Sequence, residues 1–179
     1  MNRLIGMAVV VVLLSGCVSG AKLEGMVHRA PAAVYPPTLV EAVEIGDVAG
    51  GKATNPLWMT EISNGAFSGA LTASLAEQGL LAERGRYQLH AQLVAVERPI
   101  AGLNMTSTTH VFYQLVDSQT RDALLTETIV ARHTARAGEA FFGGTRLRLA
   151  VEGAARENIR LLLERLQGLE IGDASVSLN

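Results

Sequence analysis

Apolar and polar residues recur along the chain with two different periods, and these periods predict its secondary structure. Alternation typical of strands with one buried face occurs at 38–48, 87–97, 108–116 and 124–134. Apolar residues every third or fourth position, typical of amphipathic helices, occur within 62–81 and 145–167. The pattern therefore predicts the element order β-α-β-β-β-α, with a further short strand allowed at 174–178.

The first predicted helix has recognisable ends. Ser63 and Asn64 are both good N-caps, and Gly79 stands where a helix commonly stops. Between them, apolar residues at every fourth position form one buried face, namely Phe67, Leu71 and Leu75. This segment is thus expected to pack on a sheet through that face.

The last predicted helix carries an apolar stripe opposite a charged one. The apolar stripe is Leu147, Val151, Ala155, Ile159, Leu162 and Leu166, and the charged stripe is Arg148, Glu152, Arg156, Arg160 and Glu164. We expect the charged stripe to face solvent, with ion pairs along it. Gly153 lies inside this helix at a cost of roughly 1 kcal/mol relative to Ala, which close packing on the sheet would offset. Gly168 marks the expected C-terminal end of this helix.

These elements predict an α+β fold. Successive strands joined by short links favour an antiparallel sheet, and two amphipathic helices can cover one face of it. The polar residues His90, Gln92 and Thr108 fall on the other face. That face is expected to be hydrated or to be covered by a partner.

Composition narrows the class of protein. The chain has 179 residues, 49% of them hydrophobic, which suits one domain with a real core and excludes a disordered chain. A net charge of −2 and 4% aromatic residues argue against nucleic-acid binding, which needs a surplus of Lys and Arg. The single Cys excludes a disulfide framework within the chain.

The N-terminal residues read as an export signal. Arg3 precedes an apolar run at 4–14 that is too short to span a bilayer, and Leu14-Ser15-Gly16-Cys17 follows. This sequence resembles the lipobox of bacterial lipoproteins, in which the chain is cut before the Cys and the Cys is acylated. The alternative is an ordinary signal peptide with a chance Cys. The resemblance implies lipidation of Cys17, and Val18 in place of an Asp favours the outer membrane, facing the periplasm.

The chain accordingly divides into three predicted parts. Residues 1–16 are a lipoprotein signal peptide, 17–37 are the lipidated Cys and a flexible tether, and 38–179 are a single α+β domain. The tether is assigned because Gly and Pro recur in it without any apolar period.

A second resemblance extends over most of the mature chain. It is carried by Ala70, Leu71, Ser74, Leu75, Gly79 and Leu80, by the strand residues 113–117 and by AVEGAARENI at 150–159. Together with the lipobox, this pattern is similar to auxiliary lipoproteins of ABC-type lipid transport systems and to lipopolysaccharide-assembly lipoproteins. The resemblance implies a β-α-β-β-β-α domain that assists a larger envelope machine and has no catalytic centre.

Few residues offer chemistry, and we expect neither an enzyme nor a cofactor or metal. His28 lies in the predicted tether, and His90, His110 and His133 lie on predicted strands. Hairpin pairing places His110 opposite a residue near Ala95, not opposite His90, and His133 opposite the residues before Thr108. These positions are too far apart for one metal ion, so solvated strand histidines are expected.

The loop GEAFFGG at 138–144 is the remaining feature of interest. Phe141 and Phe142 are adjacent and flanked by glycines. One interpretation is an adaptable apolar loop that touches a lipid or a partner; the other is that one ring plugs the end of the core.

Two functions follow from these observations. The first is a lipid-anchored accessory or assembly component of an envelope transport machine, bound to the bilayer through Cys17 and to a larger protein complex. The second is a stand-alone carrier of a lipid or small ligand. A third interpretation, a hydrolase, has no supporting motif.

Overall fold

The computed structural model describes residues 19–54 and 60–171. The predicted leader, Cys17 and the strand allowed at 174–178 lie outside the described residues. Within them, no helix is both long enough and apolar enough to cross a bilayer. The described elements are α1 (Leu23–Met26), β1 (Val43–Ala49), α2 (Asn64–Glu77), β2 (Tyr87–Glu97), β3 (Met105–Asp117), β4 (Ala123–Ala135) and α3 (Gly143–Gln167), with short 3-10 turns at Pro37–Leu39 and Ala137–Glu139.

The sheet has the order β1-β2-β3-β4 and is mixed, which corrects the predicted antiparallel sheet. β2, β3 and β4 form an antiparallel meander, whereas β1 pairs with β2 in parallel. The physical reason is the crossover through α2, which returns the chain to the end of the sheet where β1 began. The predicted hairpin registers are confirmed, because Ala95 pairs with His110 and Ser107 pairs with His133.

The two long helices cover one face of the sheet, and the predicted core positions are buried there. Ser63 caps α2 by accepting a hydrogen bond from the backbone N–H of Ala66 at 3.2 Å. Gly79 adopts a positive φ of 69° just beyond the helix, as the stop signal predicts. The core unites the inner sheet face with both helices and includes Phe67, Leu71, Leu75, Leu89, Val111, Leu115, Val151, Ile159 and Leu162.

Residues 19–37, called the N-terminal segment below, correct the predicted tether. The segment packs on the domain: Met26, Val27 and Tyr35 are buried, and α1 lies against both α2 and α3. The backbone N–H of His28 donates to the Ser74 hydroxyl at 3.0 Å, and burial lowers the pKa of the His28 ring. The folded domain therefore begins well before residue 38.

The N-terminal segment also changes the charged stripe of α3, part of which is buried rather than solvated. Glu152 is buried and accepts hydrogen bonds from the backbone N–H of Lys22, at 2.8 Å, and from Arg148, at 3.2 Å. Arg156 donates to the carbonyl of Gly25 at 2.7 Å, near the end of α1. The side chains of Glu152 and Arg156 form hydrogen bonds with backbone groups at both ends of α1, a helix that is too short to be stable alone.

At Gly153, α3 lies close to the sheet. This is the close packing that was expected to offset the cost of a glycine inside a helix. A Cβ atom built on Gly153 would collide with Cδ2 of His133 on β4. The imidazole therefore occupies the space that a larger residue would need. His133 is consequently half-buried against α3, not solvated as expected.

Candidate functional site

The Phe141–Phe142 pair lies on the surface. Phe141 is 91% exposed and Phe142 is 67% exposed, with the two rings edge to face at a centroid distance of 5.4 Å. Arg146 fixes the loop backbone by donating to the carbonyls of Ala140, at 2.7 Å, and Phe141, at 2.9 Å. Neither ring plugs the core, so the core interpretation is wrong and the contact interpretation stays a prediction.

The three polar residues predicted on the open sheet face do lie there, but they form no single cluster. Gln92 is exposed and pairs with Phe112, whereas Thr108 lies four residues away from Phe112 along β3. At about 3.4 Å per residue, that separation is roughly 14 Å. His90 is held beside β1, because its Nδ1 accepts a hydrogen bond from the backbone N–H of Asp47 at 3.1 Å.

The open face itself is mixed in character. Half-buried Phe112 and half-exposed Val130 lie among threonine, glutamine and histidine side chains of β2, β3 and β4. His110 on this face bonds Glu97 at 3.1 Å. Such a surface suits a hydrated protein contact better than burial in a core.

Two further exposed apolar side chains were not singled out from the sequence. Ile100 is fully exposed and Leu103 is 78% exposed, both in the β2–β3 loop (residues 98–104). This loop and the β4–α3 loop (residues 136–142) leave the same end of the sheet, where β2 and β4 finish; we call it the loop end. Asn104 joins the two loops by accepting a hydrogen bond from the backbone N–H of Ala137 at 3.1 Å. From the sequence alone, Ile100 and Leu103 would indicate an exposed apolar surface only if the two loops were already known to lie side by side.

The N-terminal segment begins at the same loop end. The carbonyl of Ser19 accepts a hydrogen bond from the Thr60 hydroxyl at 3.1 Å, and the N–H of Ala21 donates to the carbonyl of Glu61 at 3.0 Å. Arg98, the first residue of the β2–β3 loop, forms an ion pair with Glu61 at 2.7 Å. The first described residues of the chain, called the chain entry below, therefore lie at the loop end together with both loops that carry exposed apolar residues.

The described surface cavities at the sheet are lined mainly by polar atoms, and the larger, of about 320 Å³, lies beside Gln88, Asp117 and Arg121. A smaller one, of about 210 Å³, lies at the ends of β1 and β2, between Gly50, Ile62 and Arg98. Ligand pockets for drug-sized molecules usually measure about 300–1,000 Å³ and are mostly apolar. Among the described residues, no three His, Cys, Asp or Glu side chains are grouped so as to hold a metal ion.

Comparison with known proteins identifies solved structures of similar fold. No family model and no curated protein matches the sequence. A Xanthomonas campestris protein of the family DUF330 superposes with a TM-score of 0.58 at 13% identity, covering 83% of this chain and 94% of its own. A Chlamydia trachomatis protein gives 0.53 at 10% identity, covering 72% and 96%.

A dodecamer-forming protein, PelC of Paraburkholderia phytofirmans, gives a TM-score of 0.50 at 14% identity, covering 75% of this chain and 95% of its own. At such low identities, the likeness establishes a shared fold and carries no information about function. The chain has the α+β domain architecture of these bacterial proteins.

Proposed function

We propose that the chain is a bacterial lipoprotein, anchored to a membrane through acylated Cys17, and that it acts without catalysis as an accessory or assembly component of an envelope transport machine. The observation that carries this proposal is Leu14-Ser15-Gly16-Cys17 directly after the apolar run at 4–14. The outer membrane, with the domain facing the periplasm, is the proposed location because Val18 follows the Cys.

The surface of the domain supports a binding role. The sheet face that bears Gln92 and Phe112 is uncovered by any described element, and it mixes hydroxyl, amide and apolar groups. A lipid anchor confines such a face to the membrane surface and so raises its effective concentration near a membrane partner. Tethering, rather than a chemical step, is then the mechanism.

The second candidate, a stand-alone carrier of lipid, has less support. A carrier would need an apolar space between sheet and helices, but Phe67, Leu71 and Val111 fill that layer with fully buried side chains. The cavity near Gly50 is polar and smaller than usual ligand pockets.

Site-specific photo-crosslinking in membranes tests the proposed role. A photoreactive residue at Gln92 is compared with one at Glu83, which is also exposed but lies outside the sheet face. The proposal expects a crosslink to one large envelope protein from position 92 only. Equal crosslinking from both positions, or phospholipid or lipopolysaccharide bound stoichiometrically without any crosslink, would contradict it.

A further inference from the structure

We propose that the loop end of the domain lies on the bilayer and that the apolar tips of its two loops enter the lipid headgroup region. The tips are Ile100 and Leu103 in the β2–β3 loop and Phe141 and Phe142 in the β4–α3 loop. This proposal rests on the acylation of Cys17 proposed above and goes beyond it, because an anchor alone does not orient the domain.

The exposure of the tips is the first observation. Exposure of large apolar side chains to water is unfavourable in free energy, and these four side chains are between 67% and 100% exposed. They occur in two loops separated by more than thirty residues, yet the hydrogen bond between Asn104 and Ala137 holds those loops side by side. Four exposed apolar side chains are therefore presented from neighbouring loops at one end of the sheet.

The position of the chain entry identifies the bilayer as the occupant. Ser19 is fixed to Thr60, and Arg98 binds both the carbonyl of Thr60, at 2.8 Å, and the carboxylate of Glu61. These contacts connect the first described residue directly to the β2–β3 loop. Cys17 lies two residues before Ser19, and two residues span at most about 7 Å. Acyl chains on Cys17 would therefore hold the loop end close to the lipid surface.

The chemistry of the tips fits that location. Aromatic rings and aliphatic side chains on a surface that already meets the bilayer lower the free energy by entering the interface. Arg146 fixes the backbone from which the two rings project. The opposite end of the domain provides an internal comparison, because Val34 is 91% exposed there, next to Ala33, which bonds Gln78 near the end of α2.

Depth-dependent fluorescence quenching tests the proposal on the full, acylated chain. Acylation blocks the only native thiol, so a new Cys can be labelled selectively with a thiol-reactive fluorophore. The variants are Leu103→Cys, Phe141→Cys and, as the matched exposed control, Val34→Cys. Each is reconstituted into phosphatidylethanolamine–phosphatidylglycerol vesicles that contain a nitroxide-labelled phospholipid, and circular dichroism verifies its fold.

We expect the lipid nitroxide to reduce fluorescence at positions 103 and 141 at least twofold more than at position 34, and iodide in the buffer to show the reverse order. Equal quenching at all three positions overturns the proposal, as does shielding of the loops from both quenchers, which would indicate a protein cover. Intact-mass measurement of the same samples separates the two claims. An acylated chain with unquenched loops overturns only this orientation, whereas an unacylated chain overturns the proposed function and the orientation with it.

Discussion

The side-chain oxygen of Asn158 accepts a hydrogen bond from the hydroxyl of Tyr113 at 2.9 Å, in the fully buried layer between α3 and the sheet. The Asn158 nitrogen donates to the carbonyls of Ile129, at 2.8 Å, and Thr109, at 3.2 Å. One amide thereby fixes α3 to both β3 and β4. Burial raises the pKa of the Tyr113 hydroxyl well above its ordinary value, so that the hydroxyl stays a donor.

Asn158→Ala is expected to lower the free energy of unfolding by about 3 kcal/mol. The substitution leaves the Tyr113 hydroxyl and two carbonyls without their buried partner, and each unsatisfied group costs roughly 1–3 kcal/mol less any relaxation. Tyr113→Phe, which removes one bond, is expected to cost about 1 kcal/mol. Urea denaturation measures both, and a loss below about 0.5 kcal/mol for Asn158→Ala would contradict the anchoring role.

The N-terminal segment is expected to contribute to stability. Met26→Ala should cost about 2–5 kcal/mol, the range for a cavity in a packed core, because Met26 is fully buried. Val34→Ala in the same segment should change stability by less than about 0.5 kcal/mol, because Val34 is 91% exposed. Thermal or chemical denaturation distinguishes the two. If both variants matched the parent, the segment would be a free tether in solution.

Gly153→Ala is expected to destabilise the protein although Ala is the better helix former. The intrinsic gain of about 1 kcal/mol is outweighed by the clash of the new Cβ with the His133 ring. Gly65→Ala in α2 is the matched control, because a Cβ there meets nothing within 4 Å. That variant should be unchanged or slightly stabilised. If Gly153→Ala instead had the higher denaturation midpoint and Gly65→Ala the lower, the His133 ring would be able to move away freely from the new Cβ.

Asp117 is expected to make stability depend on pH in the acidic range. Hydrogen bonds from Arg86, at 2.9 Å, and from the backbone N–H of Gln119, at 2.8 Å, hold the pKa of this buried carboxyl below its usual value. A carboxyl whose pKa is lowered by folding stabilises the fold above its unfolded pKa of about 3.9, and this contribution is lost as pH falls through the folded pKa.

Asp117→Asn should therefore be less stable than the parent at pH 7, and the difference should shrink below about pH 4. Urea denaturation midpoints of the parent and of Asp117→Asn, measured from pH 7 to pH 2, follow this difference in stability. A stability difference that stays constant over that range would show that Asp117 does not titrate with folding.

Local signals explain what the sequence predicted well. The caps at Ser63 and Gly79 and the spacing of Leu71 and Leu75 act within α2 itself, so its limits and buried face could be read directly. The hairpin β3–β4 is likewise local, and its register follows from a short polar turn. Such elements need no information about distant parts of the chain.

Long-range contacts explain what the sequence predicted wrongly. The N-terminal segment has no apolar period, and α1 is held in place by Glu152 and Arg156, which lie more than 120 residues away in the sequence. The parallel pairing of β1 depends on the α2 crossover. The apolar surface of the loop end depends on a hydrogen bond between two loops, so Ile100 and Leu103 alone gave no signal.

The central claim, anchorage through Cys17, is tested most directly by the intact mass of the full chain purified from membranes of a bacterial host. The proposal predicts loss of the sixteen residues before Cys17 and a gain in mass from its acyl chains, with Cys17→Ser left unprocessed or released. An intact leader with an unmodified Cys17, or the same mass and location for parent and Cys17→Ser, would contradict it.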